Sequence, residues 1–174
     1  MQLISILSGD CVVCKIGSRA VYPIFRVGSQ SLRTEATKTY TNEEIKFANI
    51  DVLIRDPGDR FVSGVNEYAR QIDANVESTW QQIHDGKIID KHFAPQYVWL
   101  MHLQKFHSGT VTLYPFEDIK LFTNLHKDKW ELTDRPKKKV DVALLKDFVE
   151  KDYKLLDHLN KTLTLRKLLK NVLS

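Results

Sequence analysis

Ile50-Asp-Val-Leu-Ile-Arg-Asp-Pro-Gly-Asp-Arg-Phe-Val-Ser63 reads as a strand, a turn and the start of a helix. The apolar, β-branched run Ile50 to Ile54 is bounded by polar residues, the pattern of a strand buried in a parallel sheet. Asp56-Pro57-Gly58 is a turn signal. Beyond it Phe61, Val65, Tyr68 and Ile72 recur at three- and four-residue steps, which predicts an amphipathic helix from about Asp59 to Ile72. Arg55 therefore ends a buried strand, and Ser63 lies about one turn into the helix that folds back beside it. A guanidinium and a hydroxyl so placed can converge on one phosphate. Arg60 is placed to pair with Asp56 or Glu67.

Working outward, the same alternation repeats. Residues 19–26 form a short apolar run that ends at a Gly-Ser turn, with Ser31 to Ala36 opening a helix. Residues 73–92 are polar, with Trp80 and Ile83 as anchors. Residues 95–106 predict a helix and 109–114 a strand. Glu117 to Leu125 reads as helical, 126–140 as a charged loop, and Val142 to Leu156 as an amphipathic helix. The leucine-rich tail from Leu159 to Leu173 also reads as helical, and residues 1–7 alternate weakly as a strand. Strands alternating with helices imply an α/β sandwich of three layers with a mainly parallel central sheet. The chain of 174 residues is expected to form a single domain, 1–174, with a basic loop at 126–140 and a helical C-terminal region at 141–174.

Composition narrows the function classes. Hydrophobic residues are 43% and charged residues 28% of the chain, a globular balance too apolar for a disordered chain. The net charge of +4 suits an anionic ligand but does not require nucleic acid. No apolar run reaches the roughly 20 residues of a membrane helix, and the N-terminus lacks a basic leader, so a cytoplasmic protein is expected. The two cysteines, Cys11 and Cys14, fit a redox pair or half a zinc site less well than two small apolar side chains in or near a strand.

Phe25-Arg-Val-Gly-Ser-Gln-Ser-Leu32 has the chemistry of an anion cradle. Gly28 tolerates unusual dihedrals and close backbone approach. Ser29, Gln30 and Ser31 offer N–H groups at a helix start, and Arg26 adds a forked, permanent charge. The segment is not a nucleotide triphosphatase loop, which needs two spaced glycines followed by Lys and Ser/Thr.

Ile54-Arg-Asp-Pro-x-x-Arg-Phe-Val-Ser-x-x-Asn-Glu-Tyr68 resembles the 3′-phosphate motif of sulfotransferases, with the closest likeness to Golgi-type carbohydrate sulfotransferases. Phe25 to Leu32 stands where that family has its phosphosulfate loop. Asp90-Lys-His-Phe-Ala-Pro-Gln96, Tyr114-Pro-Phe-Glu-Asp-Ile119 and Glu150-Lys-Asp-Tyr-Lys-Leu-Leu156 are similar to later segments of the same group. Together these segments cover about residues 20–156. The resemblance implies a P-loop-like fold and a metal-free reaction. In it a sulfuryl group passes from 3′-phosphoadenosine 5′-phosphosulfate to a hydroxylated acceptor, a saccharide among the candidates. It implies that Arg26, Val27, Gly28, Ser29, Gln30 and Ser31 hold the 5′-phosphosulfate, and that Arg55 and Ser63 hold the 3′-phosphate.

Arg26 replaces the loop lysine of the family. Arginine can stabilise developing charge but cannot give up a proton at neutral pH, so a nucleotide-binding module with weak or no turnover is the alternative. Transfer also needs a base on the acceptor hydroxyl. His92 is the first candidate among the histidines, with Glu35 and Glu67 behind it. His102 and His107 fit packing roles. Arg135-Pro-Lys-Lys-Lys139 fits a solvated charge run, a contact with the bound nucleotide, or a contact with an anionic polysaccharide acceptor. A nucleic-acid binder ranks last, since no basic-aromatic interleaving is present.

Overall fold

The computed structural model describes Leu7, residues 12–123 and residues 146–174. Six strands among these residues form one open sheet: β1 (Cys14–Ile16), β2 (Arg19–Val21), β3 (Lys38–Thr39), β4 (Ile50–Ile54), β5 (Thr110–Pro115) and β6 (Thr162–Thr164). Their spatial order is β3-β1-β2-β4-β5-β6. The helices are α1 (Ser29–Glu35), α2 (Asn42–Ile45), α3 (Pro57–Gln71), α4 (Val76–His84), α5 (Gln96–Gln104), α6 (Lys146–Leu155) and α7 (Leu165–Leu173). 3₁₀ segments follow β5 (Phe116–Leu121) and α6 (Leu156–His158).

The sheet is mixed, which corrects the expectation of a mainly parallel one. β2, β4 and β5 run parallel through its middle. β1, β3 and β6 are antiparallel to their neighbours. The cause at one edge is a two-residue hairpin: Ile16 pairs with Arg19 around Gly17, which takes φ +58°. Such turns need a positive φ that glycine adopts at little cost. At the other edge Thr162–Thr164 returns beside β5, in a stretch whose leucines predicted helix throughout. Thr164 then caps α7 by accepting from the Lys167 N–H.

β4 is the central element. All five of its residues are buried, as the sequence predicted. It pairs with β5 from Ile50–Val111 to Ile54–Pro115. Around the sheet, Tyr22, Ile24, Leu32, Trp99, Leu103, Leu168 and Val172 join a single large core. A second, smaller core of Phe61, Val65, Ile83, Phe93 and Val149 binds α3 to its surroundings. Trp80 packs edge-on to Phe61 and Ile83 is buried, so both predicted anchors hold, but they sit on a helix that the polar sequence concealed. Cys14 lies buried on β1, and burial pushes its thiol pKa up. That fits the apolar role; Cys11, like the basic run 135–139, lies outside the described residues.

Gly64 shows how closely α3 must approach the chain at 92–93. A Cβ added there would lie 2.0 Å from the His92 carbonyl oxygen and 3.0 Å from the Phe93 Cα. Backbone cannot yield as a side-chain tip can. Gly64→Ala is therefore expected to destabilise the fold by about 1–3 kcal/mol or more, read as a lower urea midpoint at unchanged slope. An unchanged midpoint would show that α3 can slide away from that segment.

Candidate functional site

The chain leaves β2 at Val21 and β4 at Ile54, and both strands are parallel. The segments that follow their carboxyl ends therefore emerge on one edge of the sheet, where ligands of open α/β sheets bind. Phe25 to Gly28 follows β2 and turns into α1. Arg26 takes φ +64° and Gly28 φ +71°, both in the left-handed region. For Arg26 this conformation costs of the order of 1 kcal/mol and must be held by its surroundings.

Two other arginines hold it. Arg55 Nη1 donates to the Arg26 carbonyl at 3.1 Å. Arg60 Nε donates to the Phe25 carbonyl at 3.0 Å, and Arg60 Nη1 to the Ala94 carbonyl at 2.5 Å. Arg60 is 2% exposed. It does not pair with Asp56 or Glu67, because its side chain runs inward as a tie between two loops. Arg26 turns its own side chain onto α3, where Nε donates to Ser63 Oγ at 2.9 Å and Nη1 lies 3.9 Å from Glu67 Oε2.

Arg26 is the member that touches both Ser63 and Arg55, whereas the sequence reading set Arg55 and Ser63 on one phosphate and Arg26 on another. The Arg55 guanidinium also lies 5.1 Å from the centre of the Phe116 ring. Carboxylates face each guanidinium, Glu67 at Arg26, Asp59 and Asp56 at Arg55 and Asp152 at Arg60, without offsetting burial in full. Burial lowers the pKa of Arg26 and of Arg55, and the charge of Arg26 lowers Arg55 further. Burial pushes Arg60 down to about 10, and both neighbouring guanidinia add to the shift while Asp152 opposes it.

The rest of the loop is placed differently. Val27 is fully buried in the core, so only its backbone can meet a ligand. Ser31 is buried, Ser29 half-buried and Gln30 exposed. No side chain caps the first turn of α1, which leaves its N–H groups for another acceptor. Gly28 is required for reasons the sequence did not reveal: a Cβ there would meet Ile119 Cδ1 at 2.1 Å. The glycine accommodates the 3₁₀ turn after β5 as well as its own positive φ.

Arg55 is fixed through its main chain. The Gln96 side chain accepts from the Arg55 N–H at 3.0 Å and donates to the Arg55 carbonyl at 2.9 Å. It thereby mimics one more rung of sheet beyond β4. Gln96 begins α5, and Asp152 of α6 accepts from the N–H groups of Gln96 and Tyr97 at 2.7 and 2.8 Å. Asp152 is buried, and burial pushes its carboxyl up to about 6 against the pull of those hydrogen bonds and of Arg60. The sequence offered Gln96 only as part of a resembling segment and did not single out Asp152.

His92 lies beside this cluster, its ring 5.5 Å from that of Phe25. Its Nδ1 is 2.5 Å from Asp90 Oδ1, which also accepts from the His92 backbone N–H. Its Nε2 is 3.3 Å from Gln71 Nε2, and Gln71 donates to Glu67 at 3.0 Å. Burial raises the Asp90 carboxyl, but the His92 hydrogen bonds outweigh it and leave the pKa low. Glu67 is held at about 2 chiefly by its hydrogen bond from Arg70. Glu35 stands apart, accepting from Thr123 and lining a cavity of about 360 Å³ with Arg19, Gly17 and Phe122. His102 shares a buried contact with Tyr22, and His107 bridges the carbonyls of Ile45 and Thr110, packing roles in both cases. His126 is outside the described residues. Among the described residues no group of three or more His, Cys, Asp or Glu is arranged to hold a metal, and no helix is long and apolar enough to cross a membrane.

Comparison of the chain with protein-family models, with curated proteins and with solved structures finds no match.

The raised carboxyl of Asp152 has a consequence with a definite sign. An acid whose folded pKa lies above its unfolded value of about 3.9 contributes its full stability below that value, and the contribution is lost as pH rises through about 6. Between about pH 4.5 and 7 the wild type is expected to lose about 2 kcal/mol relative to Asp152→Asn. Urea midpoints of both proteins at the two pH values measure this. Parallel pH dependences would show that the carboxyl does not titrate in that window.

Proposed function

We propose that the chain is a sulfotransferase that moves a sulfuryl group from 3′-phosphoadenosine 5′-phosphosulfate to a hydroxyl acceptor, with a carbohydrate as the acceptor class. The observation that carries the reading is the arginine cluster. Arg26, Arg55 and Arg60 meet at the carboxyl ends of two parallel strands, beside the Ser63 hydroxyl and the uncapped first turn of α1. Nearby carboxylates offset their charge only in part. An anionic ligand with two separate phosphate groups supplies what is missing.

The division of labour follows from position. Arg55 and Ser63 grip the 3′-phosphate. Arg26 and the backbone of Val27, Gly28, Ser29, Gln30 and Ser31 take the 5′-phosphosulfate. The short α1 offers donors but only a small dipole, so the arginines bring most of the charge. As sulfur–oxygen bond breaking loads charge onto the leaving phosphate, Arg26 stabilises it electrostatically. His92 accepts the acceptor's proton. No metal is needed for this chemistry. The proposal carries with it a three-layer, P-loop-like arrangement of the helices and a cytoplasmic site of action.

Arg26 also favours a second reading, a nucleotide-binding module without turnover. A lysine at this place can approach the bridging oxygen as a compact ammonium, whereas the Arg26 guanidinium is already engaged with Ser63. A gain of transfer activity in Arg26→Lys supports that second reading.

Titration calorimetry tests the nucleotide site. 3′,5′-Adenosine bisphosphate is expected to bind far more tightly than 5′-AMP. Arg55→Ala is expected to weaken the bisphosphate about 10- to 100-fold, the worth of a charged hydrogen bond, with little effect on AMP. Equal affinity for the two nucleotides, or binding of neither, contradicts the proposal.

A further inference from the structure

We infer that Asp90 is a positioning residue that sets His92 as the general base, and that the Gln71 amide occupies the place of the acceptor hydroxyl. This deepens the proposed sulfuryl transfer and rests on it.

The tautomer follows from the partners. Asp90 is held as a carboxylate and can only accept, so the proton of a neutral His92 ring sits on Nδ1. Nε2 then carries the lone pair, and the Gln71 amide donates to it. The other amide proton of Gln71 goes to Glu67, whose second oxygen lies 3.9 Å from Arg26. A continuous path thus runs from Arg26 through Glu67 and Gln71 to His92 and Asp90. Its two ends are the group proposed to hold the transferring sulfate and the base.

His92 and Gln71 differ in exposure. His92 is 8% exposed and its ring is fixed by Phe25 and by two contacts to Asp90. Gln71 is an exposed side chain at the last residue of α3. An acceptor hydroxyl can displace its amide without disturbing the core, and it then takes the place of the Gln71 amide against the Nε2 lone pair. In the transfer the acceptor oxygen forms its bond to sulfur as the sulfur–oxygen bond to the 5′-phosphate breaks. The bonding pair stays on the phosphate, and the hydroxyl proton passes to His92 Nε2. The products are a sulfate ester, 3′,5′-adenosine bisphosphate and an imidazolium facing the Asp90 carboxylate, which stabilises it.

Asp90→Ala removes the oxygen that accepts from both His92 Nδ1 and the His92 backbone N–H. Ring ¹⁵N spectra of the full chain are expected to show neutral His92 as the Nδ1–H tautomer in the wild type and in Asp90→Glu. A shift towards Nε2–H is expected in Asp90→Ala. Turnover with labelled donor is expected to fall about 10²- to 10⁴-fold in Asp90→Ala and to recover in Asp90→Glu, with bisphosphate affinity unchanged in both. The same tautomer in wild type and Asp90→Ala, undiminished turnover, or a matching loss of bisphosphate affinity would overturn the assignment. If the wild type binds bisphosphate but transfers no sulfate, the sulfotransferase reading falls, and the tautomer alone decides the role of Asp90.

Discussion

Arg60 is the tie on which the rest of the site depends. Its guanidinium is fully buried on α3 and reaches two carbonyls, one in the loop after β2 and one in the loop before α5. Desolvating a guanidinium costs several kcal/mol, and only charge-assisted hydrogen bonds of this kind offset it. Because those carbonyls belong to segments far apart in sequence, one side chain joins three elements at once through Nε and Nη1, while its buried Nη2 has no hydrogen-bond partner among the described residues. Phe25 is placed for the stacking on His92 and Trp99, and Arg26 is left at a conformation that turns its side chain onto Ser63.

The arrangement is layered. Asp152 anchors the start of α5, Gln96 of α5 continues the ladder of β4, and Arg55 at the end of β4 props the Arg26 carbonyl. The inner two groups, Asp152 and Gln96, are buried and the outer two, Arg55 and Arg26, half-buried, so positive charge lies towards the strand ends while the Asp152 carboxyl stays inside. For the proposed nucleotide, a site built this way is preorganised, which would lower the cost of binding.

Much of this was legible in the sequence, and the failures have physical causes. The buried strand 50–54 and the helix after it followed from periodicity and turn chemistry, because local signals specify strand–turn–helix units, whereas the contact of Arg26 with Ser63 and Arg55 did not. The hairpin at Gly17 was also written locally, in a Gly-Ser pair between short β-branched runs, but strands of three residues are too short for alternation to register. Thr162–Thr164 was hidden by the leucines of α7, and α4 by its polar surface. Arg60 misled because sequence proximity suggested Asp56 and Glu67, whereas its partners are carbonyls brought near only by tertiary folding. Gln96, Asp152 and the steric demands at Gly28 and Gly64 are of the same kind.

Sulfuryl transfer itself is the central claim. The most direct measurement incubates the chain with ³⁵S-labelled 3′-phosphoadenosine 5′-phosphosulfate and a panel of saccharides and other hydroxylated acceptors, following both products. The account predicts label in at least one acceptor, with 3′,5′-adenosine bisphosphate released in equal amount. A chain that binds the donor and leaves its label in place across the panel would contradict it.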